Sequence, residues 1–135
     1  MNQSTQNKPN ILLVDDRPEN LLVLKEILGT TDQNLVMAKS GEEALKQILE
    51  KDFAAILLDV QMPGMNGFEA TITIRELEKD TGKHVPIIAV TAHVMPGYKE
   101  ECLKAGMDNY LAKPFRMQEL FGIIEETLAQ MKDHA

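Results

Sequence analysis

The sequence predicts an α/β fold: a doubly wound, five-stranded parallel sheet with a helix after each strand. Three observations carry this. Strand-like and helix-like patterns alternate five times along the chain. Three strand candidates are nearly continuous apolar runs, Ile11-Leu12-Leu13-Val14, Phe53-Ala54-Ala55-Ile56-Leu57-Leu58 and Ile87-Ile88-Ala89-Val90, as expected where helices cover both faces of a parallel sheet. Each run ends in polar chemistry: Asp15-Asp16 after the first, Asp59 after the second and Thr91 after the third.

The strands are expected at 11–14, 35–38, 54–58, 86–90 and 109–111, and the helices at 18–28, 41–50, 66–79, 97–105 and 117–130. Pro18 stands in the first turn of the first helix, where its missing N–H costs nothing, and Gly29 lies just past that helix's end. Ser40 with Glu43 three residues later reads as a capping box for the second. The turn formers of Pro63-Gly64-Met65-Asn66-Gly67 precede the third. Gly106 sits at the C-cap of the fourth. Right-handed crossovers then give a doubly wound sheet. Periodicity does not set the strand order. In the flavodoxin-like order 2-1-3-4-5, the topological switch point falls between strands 1 and 3, whose ends carry Asp15-Asp16 and Asp59.

At 135 residues the chain is one domain, expected over 10–130, with residues 1–9 and 131–135 as tails or linkers. Acids outnumber bases 21 to 14, for a net charge of −7. That balance argues against nonspecific nucleic-acid or anionic-membrane binding and favours protein partners or a cation site. Cys102 is the single cysteine, so no intrachain disulfide can form, and it reads as a small packing residue. A polar amino terminus without a signal peptide, and no membrane-length apolar stretch, point to a cytoplasmic location without membrane insertion. His84 and His93 are isolated, and no His/Cys cluster points to zinc.

Four strand ends thus deliver three acids, a hydroxyl and an ammonium (Lys113, before Pro114) to one sheet edge. Each has an ordinary reading: acids start helices, and a loop lysine is usually solvated. Together they describe something narrower. Three carboxylates in contact repel and would be driven to protonate without compensation. Mg²⁺ takes oxygen ligands, commonly one or two carboxylates plus phosphate oxygens. Three aspartates, Lys113 and Mg²⁺ form a neutral set, and phosphorylating one carboxylate to an acyl phosphate leaves about −1. Asp59 is a chemically reasonable phosphoryl acceptor, since carboxylates form aspartyl phosphates. The Lys113–Pro114 bond is a candidate cis peptide.

On Asp15-Asp16, Asp59 with Met62-Pro63-Gly64-Met65-Asn66-Gly67, Thr91-Ala92 and Lys113-Pro114, the chain resembles the receiver domain of two-component response regulators. Details around Glu19-Asn20, His93, Cys102 and Gly106-Met107-Asp108 are similar to receivers attached to hybrid sensor kinases. The resemblance implies that Asp59 takes a phosphoryl group from a histidine kinase or histidine phosphotransfer protein. It implies Mg²⁺, with Mn²⁺ as a substitute, bound by Asp16, Asp59 and the backbone carbonyl of Gln61, with Asp15 acting through water. Thr91 and Lys113 would contact the phosphoryl group. Thr91 and Tyr110 would form the switch, remodelling the surface of the fourth helix, fifth strand and fifth helix. Gln61 and His93 would tune phosphate lifetime. The protein would be a signalling switch and not a conventional enzyme, acting on a downstream protein or output domain as a monomer or a phosphorylation-dependent dimer.

Three other readings share parts of this pattern. A flavodoxin-type cofactor binder needs a phosphate loop rich in Ser, Thr and Gly after strand 1, whereas Asp15-Asp16-Arg17-Pro18-Glu19-Asn20 would repel phosphate. A haloacid-dehalogenase-type phosphatase places a second Asp two residues after its nucleophile; here that position is Gln61. A receiver that binds partners without phosphorylation would not need the full acidic set and Lys113.

Overall fold

The computed structural model describes residues 9–29, 33–62, 64–92 and 96–133, with backbone alone from 131. Five strands, β1 (Asn10–Val14), β2 (Asn34–Ala38), β3 (Ala55–Asp59), β4 (Ile87–Thr91) and β5 (Asn109–Ala112), alternate with five helices. These are α1 (Pro18–Leu28), α2 (Gly41–Glu50), α3 (Gly67–Glu78), α4 (Tyr98–Ala105) and α5 (Met117–Asp133). The sheet is parallel in the order β2-β1-β3-β4-β5.

Alternation within β1 divides the core. Ile11 and Leu13 join Leu21, Leu24 and Leu28 of α1 and Leu120 and Ile124 of α5 on one face. Leu12 and Val14 join Ala44 of α2, Ala70 and Ile74 of α3 and Cys102 of α4 on the other. Every β3 and β4 residue is buried, which accounts for the unbroken apolar runs that precede Asp59 and Thr91. Cys102 is buried as expected of a packing residue. Among the described residues no helix is long and apolar enough to cross a membrane.

Element boundaries moved where side-chain chemistry had masked strand geometry. Asp59 and Thr91 are the last residues of β3 and β4, not the first residues beyond them. β5 gains Ala112, and α5 runs to Asp133, three residues past the expected 130. Capping also differs. Ser40 Oγ accepts from Glu43 N–H at 3.1 Å, but the Glu43 carboxylate accepts from Lys39 N–H, so the expected box closes one residue early. The full reciprocal box belongs to Asn66 and Glu69 at the start of α3. Gly106 ends α4 with φ 109°, as its C-cap position requires.

α3 leaves β3 with almost no clearance. A Cβ on Gly67 would lie 2.7 Å from Val60 Cα and 2.9 Å from the Asp59 carbonyl oxygen. Backbone cannot yield as a flexible side chain can, so Gly67→Ala is expected to cost about 1–3 kcal/mol and to displace the Asp59 end of β3. Denaturant unfolding with unchanged m-value checks this, and an unshifted midpoint would contradict it.

At the opposite end of the sheet, polar side chains tie the elements together. Arg75 of α3 donates to the Gly106 carbonyl (2.9 Å), Glu78 (2.6 Å) and Asp108 (2.8 Å). Asp108 Oδ2 also accepts from Ile87 N–H at 2.8 Å, and its Oδ1 lies 2.7 Å from His84 Nε2. Glu78 accepts from Val85 N–H at 2.6 Å. His84, isolated in the sequence, is thus half-exposed on the rim of an ionic cluster.

Candidate functional site

The sheet register builds the site. Val14 pairs with Ala38 and Leu58, Asp59 with Val90, and Thr91 with Ala112. Asp15, Asp59, Thr91 and Lys113 therefore emerge within about one rung of each other at the carboxyl edge, around the switch point between β1 and β3.

Ligand atoms of Asp15, Asp16 and Asp59 all lie within 4.8 Å of one another, the one such acidic group among the described residues. Asp15 is held from three sides. Its Oδ1 accepts from Arg17 N–H (2.9 Å), and its Oδ2 accepts from Asn20 Nδ2 (3.1 Å) and Lys113 Nζ (3.2 Å). Asp59 accepts from Gln61 N–H at 3.3 Å and lies 4.0 Å from Lys113 Nζ. Asp16 is half-buried and more open than Asp15 or Asp59.

Electrostatics distinguish Asp59. Burial, followed by repulsion from Asp15, pushes its pKa from 3.8 up to about 6, against the opposing pull of Lys113 and the Gln61 N–H. The folded chain thus holds at Asp59 a carboxylate whose charge is only partly compensated. A hard divalent cation fits this donor set: three carboxylates converge, one of them under strain to stay ionised, and all donors are oxygen.

Thr91 is fully buried, and its Oγ1 donates to the Tyr98 hydroxyl at 3.4 Å. Its carbonyl accepts from Lys113 N–H at 2.8 Å, which ties β4 to the lysine's own backbone. The Lys113–Pro114 bond is cis, as the sequence indicated it could be. Tyr110 is half-buried against the same cluster as Phe68 and Tyr98. Gln61 is exposed beside Asp59. His93 lies outside the described residues.

Sequence reasoning missed two participants. Asn20 holds Asp15 in place, and Tyr98 meets Thr91. Asn20 sits one helical turn from the acidic pair, a spacing that could have marked it. Nothing in the spelling around Tyr98 reveals its contact.

A cleft of about 450 Å³ opens beside the cluster, with Asp15, Lys113 and Pro114 at the site and Val23, Leu24 and Phe115 as apolar wall. Val23, on α1, is about half exposed in this wall.

The model of the response regulator receiver domain matches residues 11–125. The sensor protein GacS of Pseudomonas syringae pv. syringae is 38 % identical over 117 residues, covering 86 % of this chain and 13 % of that protein. Among curated relatives, the chain spans 7 % to 16 % of their length. The receiver domain of the sensor histidine kinase PA1611 from Pseudomonas aeruginosa PAO1, solved with magnesium coordinated in its active-site cleft, is 37 % identical. Its TM-score is 0.80, with 90 % of this chain and 98 % of that chain covered. The receiver domain of Saccharomyces cerevisiae Ssk1, solved with the histidine phosphotransfer protein Ypd1, is 31 % identical with a TM-score of 0.83. That match covers 92 % of this chain and 91 % of that one. With its fold, its acidic cluster and these likenesses in agreement, the chain belongs to the response regulator receiver domain family.

Proposed function

We propose that this domain is the phosphoacceptor switch of a two-component phosphorelay, with Asp59 as the acceptor. The observation that carries this is the convergence of Asp15, Asp16, Asp59 and Lys113 around one carboxylate whose ionisation is opposed by burial. An Asp59 oxygen attacks phosphorus as the P–N bond of a phosphohistidine breaks. The imidazole leaves with the electron pair and takes up a proton. Lys113 supplies positive charge to the phosphoryl oxygens, and the Thr91 hydroxyl donates to one of them. Asp16, Asp59 and the Gln61 carbonyl would hold Mg²⁺, or Mn²⁺ in its place, with Asp15 acting through water, and the ion would supply positive charge to the carboxylates and the phosphoryl group. Gln61 and His93, two residues beyond Asp59 and Thr91 in the chain, would tune phosphate lifetime.

The donor is a histidine kinase or a histidine phosphotransfer protein. The half-exposed Val23, in the wall of the cleft that leads to Asp15 and Lys113, offers such a partner apolar contact close to Asp59. The output is a conformational change read by a downstream protein or linked domain, with Tyr110 as a switch aromatic. In this reading the domain assists its own phosphorylation and dephosphorylation and turns over no separate substrate.

The direct test is intact-protein mass after incubation with acetyl phosphate and Mg²⁺. One added phosphoryl group, absent with EDTA and absent in Asp59→Asn, is the expected result. Turnover of small phosphate esters without stable labelling would instead favour a phosphatase. Lys113→Ala removes the cation nearest both Asp15 and Asp59. It is expected to tighten Mg²⁺ binding severalfold while slowing phosphoryl uptake by about tenfold or more. Weaker Mg²⁺ binding in a metal titration would contradict this placement of Lys113.

A further inference from the structure

Two hydroxyls meet behind the site. Thr91 is fully buried, and its Oγ1 donates to the Tyr98 hydroxyl at 3.4 Å, a long and therefore weak hydroxyl pair. Tyr98 is the first residue of α4 and is itself buried, its ring edge-on to Phe68 at 5.9 Å between centroids. α4 is only eight residues long, and its buried residues are Tyr98 and Cys102. Its N-cap, Gly97, has no side chain with which to bond the first turn. Among the described residues, the Tyr98 ring is the buried side chain that seats the amino end of α4, and its hydroxyl touches the one expected to serve the phosphoryl group.

We propose that Tyr98 is a positioning residue of the switch: in the unphosphorylated protein its hydroxyl holds Thr91 Oγ1 toward α4 and away from Asp59. Engagement of Thr91 by a phosphoryl oxygen breaks that contact and loosens the first turn of α4. The inference deepens the phosphoacceptor reading and rests on it. It adds a connection from the site to α4 that does not pass through Tyr110. The weakness of the contact suits the role, since a strong bond would oppose phosphorylation and none would leave α4 uninformed of it.

The test uses Tyr98→Phe, which keeps the ring and removes the hydroxyl, with Thr91→Val as its partner in a double-mutant cycle. The readout is affinity for beryllofluoride, a phosphoryl-shaped ligand, at saturating Mg²⁺, followed by amide NMR of α4. With Thr91 released in advance, Tyr98→Phe is expected to bind beryllofluoride about two- to fivefold more tightly. The amide shifts of Glu100 and Glu101 should already lie toward their bound positions. In the Thr91→Val background the same change should have no effect on affinity. An unchanged affinity in Tyr98→Phe, or an equal gain in both backgrounds, overturns the proposal while acetyl phosphate labelling of the wild type still upholds Asp59 as acceptor. Unfolding of Tyr98→Phe also overturns it, because the hydroxyl would then be holding the fold and not Thr91. Wild-type protein that takes neither beryllofluoride nor the phosphoryl group overturns the phosphoacceptor reading and this inference with it.

Discussion

Asp59→Asn is expected to stabilise the metal-free domain at neutral pH while abolishing phosphoryl uptake. The sign follows from linkage. The folded pKa of Asp59, about 6, lies above its ordinary 3.8, so the native chain binds this proton more tightly than the unfolded chain does. Below the ordinary value both states are protonated and the carboxyl group carries no penalty. As pH rises from 3.8 toward 6 the unfolded chain releases its proton first, and native stability falls. Above about 6 the full penalty is present, on the order of 2–3 kcal/mol. An amide cannot ionise, so the variant escapes the penalty. In EDTA its advantage should be greatest above pH 7 and should fade toward pH 4. Mg²⁺ should reverse the order by stabilising the wild type alone. Thermal unfolding of both proteins across this pH range, with and without Mg²⁺, checks each part. A lower melting temperature for Asp59→Asn in EDTA at pH 7.5 would remove the basis for treating the cluster as strained.

The largest loss of stability is expected far from Asp59, in Asp108→Ala. This carboxylate, 12 % exposed, is shared by the Arg75 guanidinium, the Ile87 N–H that begins β4 and His84. Truncation leaves the amide at the start of β4 and one edge of a mostly buried guanidinium without this acceptor. Removing one partner from such a buried set costs about 2–4 kcal/mol, or about 10 °C in melting temperature for a domain of this size. His84→Ala removes only the half-exposed member and should cost well under 1 kcal/mol. Asp108→Asn can still accept from Ile87 N–H and should fall between the two. Similar losses for the Asp108 and His84 variants would show that the cluster is a solvated surface pairing and not a clamp.

Much of the fold was legible because a parallel sheet covered on both faces must be spelled as unbroken apolar runs, and because Pro18 and Gly106 punctuate helices wherever they fall. The acidic site was legible for the same reason. Once the strands are placed, the residues that end β1, β3, β4 and β5 are carried to one edge by topology alone. Strand ends were misplaced by one residue because Asp59 and Thr91 are polar yet buried, which hydropathy reads as the end of a strand. The capping box was assigned to Ser40 and Glu43 because spacing cannot say which amide a glutamate will reach.

The sequence by itself determined the class of fold, the identity of the acidic set and its lysine, and the burial of the core, since all three depend on residue type and order along the chain. Only the tertiary structure decided which groups touch. Lys113 is 98 residues from Asp15, Arg75 is 33 from Asp108, and the Thr91 and Tyr98 hydroxyls meet only because α4 folds back across the edge of β4. The physical reason is that periodicity fixes which face a side chain occupies, whereas ion pairs and hydrogen bonds depend on separations of a fraction of an ångström. Those separations arise when the elements pack against one another.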